Sequence, residues 1–219
     1  MMGREHIRNI NLLDNASIAA ILEPDADMRS TAAKLAPNAT FVEDVSAMAQ
    51  RDDIDALVIA SPNHIHIDQI EMLSANPRPL LVEKPLYTDT AQAARLEAIA
   101  ASYKAPVWVA MEYRYMPAVH RLIDEIPASL GDLKMLTIRE HRFPFLAKIG
   151  DWNRFNSNTG GTLVEKCCHF FDLMRLITGG EAVRVMASAG QAINHLDERY
   201  EGKVPDIWDH GFVLVDFDN

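Results

Sequence analysis

The sequence predicts an α/β fold: a parallel β-sheet covered by helices, then a smaller α+β region whose sheet is mostly antiparallel. Three features point there. Short apolar runs of strand length alternate with helical segments through the first half. Polar residues follow each run directly, where a parallel sheet of this kind places its ligands. Near Met111 the pattern changes to runs with one wet face, which divides the chain into 1–111 and 112–219.

From the start, Gly3 to Leu13 reads as a helix with Ile7 and Ile10 on one face. Ser17 to Leu22 is a short apolar strand closed by Glu23-Pro24-Asp25, because proline cannot continue a central strand. Asp27 to Ala36 is helical and ends at Pro37-Asn38. Thr40 to Val42 is a strand and Val45 to Gln50 a short helix. Asp55 to Ala60 is an apolar strand followed by Ser61-Pro62-Asn63, then a helix over His66 to Ala75. Pro79 to Val82 is a strand that runs into Glu83-Lys84-Pro85. Thr90 to Tyr103 is an alanine-rich helix, and Val107 to Met111 a further strand before Glu112-Tyr113-Arg114.

In the second half, Ala118 to Ile126 reads as a helix and Leu133 to Arg142 as a strand with one wet face. A loop rich in Asn, Gly and Trp covers 143–161. Thr162 to Thr178 reads as one long helix stopped by Gly179-Gly180. Ala182 to Ala189 and Gly211 to Phe217 are strands, and no repeat or low-complexity segment interrupts the chain.

The 219 residues carry 21 Lys and Arg against 31 Asp and Glu, a formal net charge of −10. That balance argues against nucleic acid or an anionic membrane as a partner, since both need clustered positive charge. Hydrophobic residues make up 48% and charged residues 24%, a profile that folds rather than stays disordered. No apolar run approaches the roughly 20 residues of a membrane helix. The N-terminus has no apolar signal core, and the only cysteines, Cys167 and Cys168, are sequence neighbours, which rarely pair. The expectation is a cytoplasmic protein with free thiols.

Several residues carry possible chemistry. A dinucleotide-binding fold opens with a strand and G-x-G-x-x-G leading into a helix. Here Met1-Met2-Gly3 leads directly into the helix; Gly3 is either the third glycine of that motif or an ordinary N-terminal glycine. On the first reading Glu23 stands where an acidic residue would hold the adenosine ribose, and on the second it is a solvated turn residue. Lys84, after a buried strand, is either a ligand-holding lysine or a turn lysine. Glu165 and His169, four apart on the expected long helix, would share one face, with Asp172 beyond them as an orienting partner for the imidazole. A helix-surface pair is the plainer alternative. His64-x-His66 and Glu165-x-Cys167-Cys168-His169 contain metal-ligand types, but adjacent helical cysteines point about 100° apart and converge poorly on one ion. No metal is expected.

Taken together the pieces resemble the Gfo/Idh/MocA family, the glucose-fructose oxidoreductase and inositol dehydrogenase type of enzyme. Met2-Gly3-x-x-His6 looks like the tail of that family's opening glycine motif. Ser61-Pro62-Asn63-x-x-His66 resembles its cofactor loop, and Glu83-Lys84-Pro85 its most characteristic tripeptide. Arg114-x-x-Pro117 resembles the crossing into the second domain. Trp152-x-Arg154, Gly160-Gly161-Thr162-Leu163 and His169-x-x-Asp172-Leu173 resemble the entry to its substrate domain. The resemblance implies a Rossmann-type domain and NAD(P)-dependent oxidation or reduction at a carbinol carbon of a sugar, inositol or related polyol. It assigns Lys84 as the lysine bridging cofactor and substrate, and His169 as acid/base. Glu165 falls where many members have aspartate. Gly3, Glu23, Ser61, Pro62, Asn63, His66, Glu83 and Lys84 become the cofactor wall. Glu23 favours NAD over NADP, because a carboxylate repels the extra phosphate. Arg114, Trp152 and Arg154 are expected near substrate, with a packing anchor as the alternative for Trp152.

The resemblance also marks departures. The first strand of a 3-2-1-4-5-6 sheet has no counterpart, so its two neighbours would expose unpaired edges. Asp218-Asn219 looks like a turn into a further strand. The chain therefore reads as a Rossmann-type sheet lacking its first strand plus a partial substrate domain. It would be part of a longer enzyme that forms a homo-oligomer, or a non-catalytic remnant that binds a sugar or a full-length partner.

Overall fold

The computed structural model describes residues 2–219. The chain divides into two compact units, Met1–Ala110 and Met111–Asn219.

In the first unit, helix α1 (Met2–Ile10) precedes strand β1 (Ala20–Leu22). Helix α2 (Ala26–Leu35) then leads to β2 (Thr40–Val42), which pairs parallel with β1 with Ile21 opposite Phe41. Helix α3 (Val45–Ala49) follows. Strands β3 (Leu57–Ile59), β4 (Leu80–Val82) and β5 (Val107–Val109) form a second parallel sheet, in register across Leu57, Leu80 and Val107. Helices α4 (His66–Leu73) and α5 (Thr90–Ser102) connect its strands. Three helices start for the same local reason. Asp25, Asp44 and Asp89 each accept a backbone N–H three residues on, at 2.9, 2.7 and 2.8 Å.

Among the described residues β1 and β3 share no ladder, so the parallel strands come as two sheets. The core is likewise double. Ile7, Ala32 and Ala36 pack with Ile21 and Phe41, whereas Leu57, Ile59, Leu80 and Val82 pack with Ile67, Ile70, Leu73 and Ile99. Helical cover on both faces is expected from the apolar strands, but the opposite face of the second sheet stays open. Val58, Leu81 and Trp108 align there in register, with Val58 40% and Trp108 59% exposed.

The second unit opens with a 3-10 turn over Glu112–Tyr115 and helix α6 (Pro117–Glu125), whose proline sits in the first turn. Residues 133–142 are not a strand. Their alternation is real, but a strand also needs a neighbour for its backbone groups, and no described segment offers one. Within 143–161 there are 3-10 turns over Ile149–Arg154 and a single helical turn, α7 (Asn156–Thr159). Gly161 holds φ +76, and a Cβ there would collide with Asn156 Oδ1.

The long helix expected over 162–178 is two helices, α8 (Thr162–Glu165) and α9 (Cys168–Thr178). Both Lys166 N and Cys167 N bond to the Thr162 carbonyl, which uses up the ladder at that point. The Cys168 thiol donates to the Glu165 carbonyl at 3.5 Å. Helix α9 stops at Gly179 in the left-handed conformation, φ 70. Strands β6 (Ala182–Gly190) and β7 (His210–Phe217) form an antiparallel ribbon that exposes Val183 and Phe212.

Candidate functional site

At the carboxyl ends of β3 and β4, two turns are tied together by one histidine. His66 is fully buried, with Nδ1 2.9 Å from the Pro85 carbonyl and Nε2 3.0 Å from the Ser61 carbonyl. Burial lowers its pKa below the ordinary imidazole value, against the pull of the two carbonyls. His66 therefore holds the Ser61-Pro62 turn against the Lys84-Pro85 turn. Both of its nitrogens are taken up by backbone of its own chain. The Lys84-Pro85 peptide bond is cis.

Glu83 is buried beside that turn, and His6 Nε2 lies 2.7 Å from its Oε1. Burial raises the Glu83 carboxyl, but the His6 hydrogen bond and charge together with Lys84 outweigh it, so the pKa is lowered. Ser61 donates its hydroxyl to Gln69 at 2.6 Å. Asn63 is buried, and its Nδ2 has no hydrogen-bond partner among the described residues. A buried amide donor without an acceptor is costly, so this position fits a polar group brought by a ligand. Glu23, just past β1, accepts the Asp25 N–H at 3.0 Å. Gly3 in α1 faces Ala60, with 3.9 Å from an added Cβ to Ala60 Cβ, which is ordinary contact. His6 was legible only as the end of Met2-Gly3-x-x-His6; its partner Glu83 lies 77 residues away.

In the second unit the break after Glu165 changes how Glu165 and His169 are presented. They do not stack on one continuous helix face; each is held by its own partners. The Glu165 side chain is 8% exposed, with Lys148 Nζ 3.7 Å from Oε1. The His169 side chain is 2% exposed and lies flat on Tyr113, ring centroids 4.2 Å apart and planes 9° apart. Its Nε2 is 3.4 Å from Glu112 Oε1. Lys166 Nζ donates to the Tyr113 hydroxyl, lies 4.5 Å from that ring's centroid and is 3.5 Å from Glu140. A stacked imidazole and a buried carboxylate in one small region can take a proton and orient a hydroxyl.

Asp172, expected to orient His169, instead receives Arg114 in a two-pronged pair, with Nε to Oδ2 at 2.6 Å. That pairing also commits the guanidinium of Arg114 to the protein. Arg154 is buried and donates from Nε to Glu198 at 2.8 Å, with a weaker contact to the Leu146 carbonyl. Both arginines are thus packing and positioning groups in this structure. Trp152 is half-buried beneath Lys148, whose Nζ is 4.7 Å from its ring centroid. Tyr113, Lys148 and Lys166 escaped sequence reasoning as partners. Only the placement of Tyr113 just after an apolar strand pointed to one of them.

Residues 1–111 match the model of the oxidoreductase family with an NAD-binding Rossmann fold, and residues 125–219 match its C-terminal alpha/beta domain. The chain belongs to the Gfo/Idh/MocA family. It is 29% identical over 188 residues to the rhizopine catabolism protein MocA of Rhizobium meliloti, covering 82% of this chain and 55% of that protein. It is 26% identical over 196 residues to inositol 2-dehydrogenase of Rhizobium meliloti (strain 1021), covering 88% and 57%. The solved structure of GenD2 from gentamicin A biosynthesis in complex with NAD superposes with a TM-score of 0.76 at 21% identity, covering all of this chain and 60% of that one. The chain thus spans about half the length of the curated relatives it matches. No described helix is long and apolar enough to cross a membrane.

Proposed function

We propose that this chain carries the working residues of an NAD-dependent dehydrogenase that moves a hydride between nicotinamide and a carbinol carbon of inositol or a related polyol. The observation that carries the reading is the buried His169 stacked on Tyr113 in the same unit as the buried Glu165. Membership of the family and similarity to inositol dehydrogenases support the reaction class.

The residues at the strand ends fit the cofactor. Asn63 brings a buried donor in need of an acceptor, and Ser61, Pro62 and Glu83 are held by His66, Gln69 and His6. Gly3 stands at the start of α1, where backbone can approach a pyrophosphate, and Glu23 would hold the adenosine ribose. The Glu23 carboxylate makes NAD the better fit than NADP. Bound NAD supplies the hydride acceptor. In the substrate domain His169 takes the hydroxyl proton as the carbinol C–H bond breaks, and Glu165 orients a neighbouring hydroxyl. Lys84 polarises the reacting oxygen. Trp152 offers an aromatic wall for the ring's C–H face, and Arg114 and Arg154 act through Asp172 and Glu198.

The same reading takes the full-length protein as a cytoplasmic homo-oligomer. The exposed apolar ribbon of β6 and β7 supports assembly, and two cysteines that form no disulfide support a reducing compartment. Lys84→Met tests the chemistry. Turnover of NAD with myo-inositol should fall by about 10² to 10⁴ while NAD binding by calorimetry persists. Turnover within a few-fold of the native chain would remove Lys84 from the reaction.

A further inference from the structure

A second imidazole in the substrate domain is prepared for a ligand. His195 stands in the left-handed conformation at φ 63, and its side chain is 7% exposed. Its Nδ1 is 2.8 Å from Glu198 Oε1. Glu198 is fixed in turn by Arg154 Nε and by the Tyr200 hydroxyl, both at 2.8 Å from its Oε2. Partial burial pushes the Glu198 carboxyl up, but these hydrogen bonds and the arginine charge bring it down to about 2. It therefore stays a carboxylate and demands a proton from Nδ1. In the neutral ring that leaves Nε2 as an acceptor. Nε2 is sealed from solvent and has no hydrogen-bond partner among the described residues.

The ring forms part of the wall of a cavity of about 60 Å³, which Thr162, Lys166, Trp208 and Arg142 also line. That volume holds a few water molecules, so it suits one hydroxyl-bearing arm of a ligand and not a whole six-membered ring. Thr162 and Lys166 border the same short helix that ends in Glu165. The cavity is thus continuous along the chain with the residues assigned to substrate. Its walls combine aromatic faces, the cations Arg142 and Lys166, the Asp209 carboxylate and the His195 imidazole, a mixture of donors and acceptors that a polyol edge can satisfy.

We propose that His195 is a specificity-determining residue, whose Nε2 accepts a hydrogen bond from one hydroxyl of a polyol seated in this cavity. Glu198 and Arg154 are its positioning residues. The inference rests on the polyol reading above and deepens it. A purely structural histidine would have its acceptor nitrogen met by an N–H or O–H of its own chain, and no such donor reaches Nε2 among the described residues. A site built to bond a hydroxyl also discriminates strongly against the ligand that lacks it.

The test is calorimetric titration of the full chain, with and without NAD, using myo-inositol and its monodeoxy analogues as probes. One analogue should bind about tenfold more weakly than myo-inositol, the effect of a single hydrogen bond. His195→Asn tolerates the left-handed backbone and can still donate to Glu198, but lacks Nε2. It should lose about tenfold in myo-inositol affinity and no longer discriminate against that analogue. Unchanged affinity and discrimination in His195→Asn would overturn this inference and leave the polyol reading intact. Failure of the native chain to bind any of these probes would overturn both. Should His195→Asn not fold, ring ¹⁵N spectra of the native chain decide. Nε2 should resonate as an unprotonated acceptor and shift when myo-inositol saturates the protein; a silent Nε2 at saturation would overturn the assignment.

Discussion

Two buried histidines, His66 in the first unit and His195 in the second, differ in what their second nitrogen meets. His66 has a backbone carbonyl at each end of the ring, Ser61 on one side and Pro85 on the other. His195 has Glu198 at one end and a buried, unpartnered nitrogen at the other. Burial of a ring therefore does not by itself fix its role. A ring with both nitrogens against backbone of its own chain is a clamp, and a ring with one nitrogen held and the other unmet is aimed. The carboxylate behind His195 strengthens the contrast, because it fixes which nitrogen keeps the proton.

The largest expected effect breaks the clamp. His66→Leu removes the buried ring and the N–H it offers between the Ser61 and Pro85 carbonyls, so urea unfolding should show a loss of about 3 kcal/mol. His195→Asn should cost less than about 1 kcal/mol in the same measurement, since only the Glu198 contact is at stake in the unliganded chain. Equal losses would erase the distinction between the two histidines.

The pH dependence of stability separates them next. His66 has a folded pKa below the ordinary 6.5, so the unfolded chain binds its proton first. Its contribution is full above 6.5 and declines as the pH falls through the folded value. Glu198 is depressed from 4.5 to about 2, so its contribution is full above 4.5 and is lost as the pH falls toward 2. Chemical denaturation across this range should show two steps. His66→Leu should remove the upper one and Glu198→Gln should weaken the lower one. The smallest effect gives the baseline: Asp89→Ala removes the α5 cap, 2.8 Å from Gln92 N, at a cost of about 1 kcal/mol with no change in either pH step.

Much of the first unit was legible in the sequence. Its strands and helices are set by local patterns, whereas the aspartates at 25, 44 and 89 emerged as helix caps only in the structure. The second unit was less legible. The 133–142 alternation lacks a ladder partner among the described residues, and a seventeen-residue helical pattern over 162–178 hides a break at Lys166-Cys167. Periodicity reports which face is apolar, and cannot report whether a neighbouring strand exists or where a ladder is interrupted.

By itself the sequence determined the order of most elements, several of their stops, and the family through short motifs, each confined to a few residues. Only the tertiary structure decided which polar atoms are already committed. Arg114 meets Asp172 at a separation of 58 residues, Arg154 meets Glu198 at 44, and His6 meets Glu83 at 77. A hydrogen bond acts over about 3 Å whatever the distance along the chain, so its partner is fixed by packing. Residue type says what a side chain can do; the folded surroundings leave Asn63 Nδ2 and His195 Nε2 with bonds still to make.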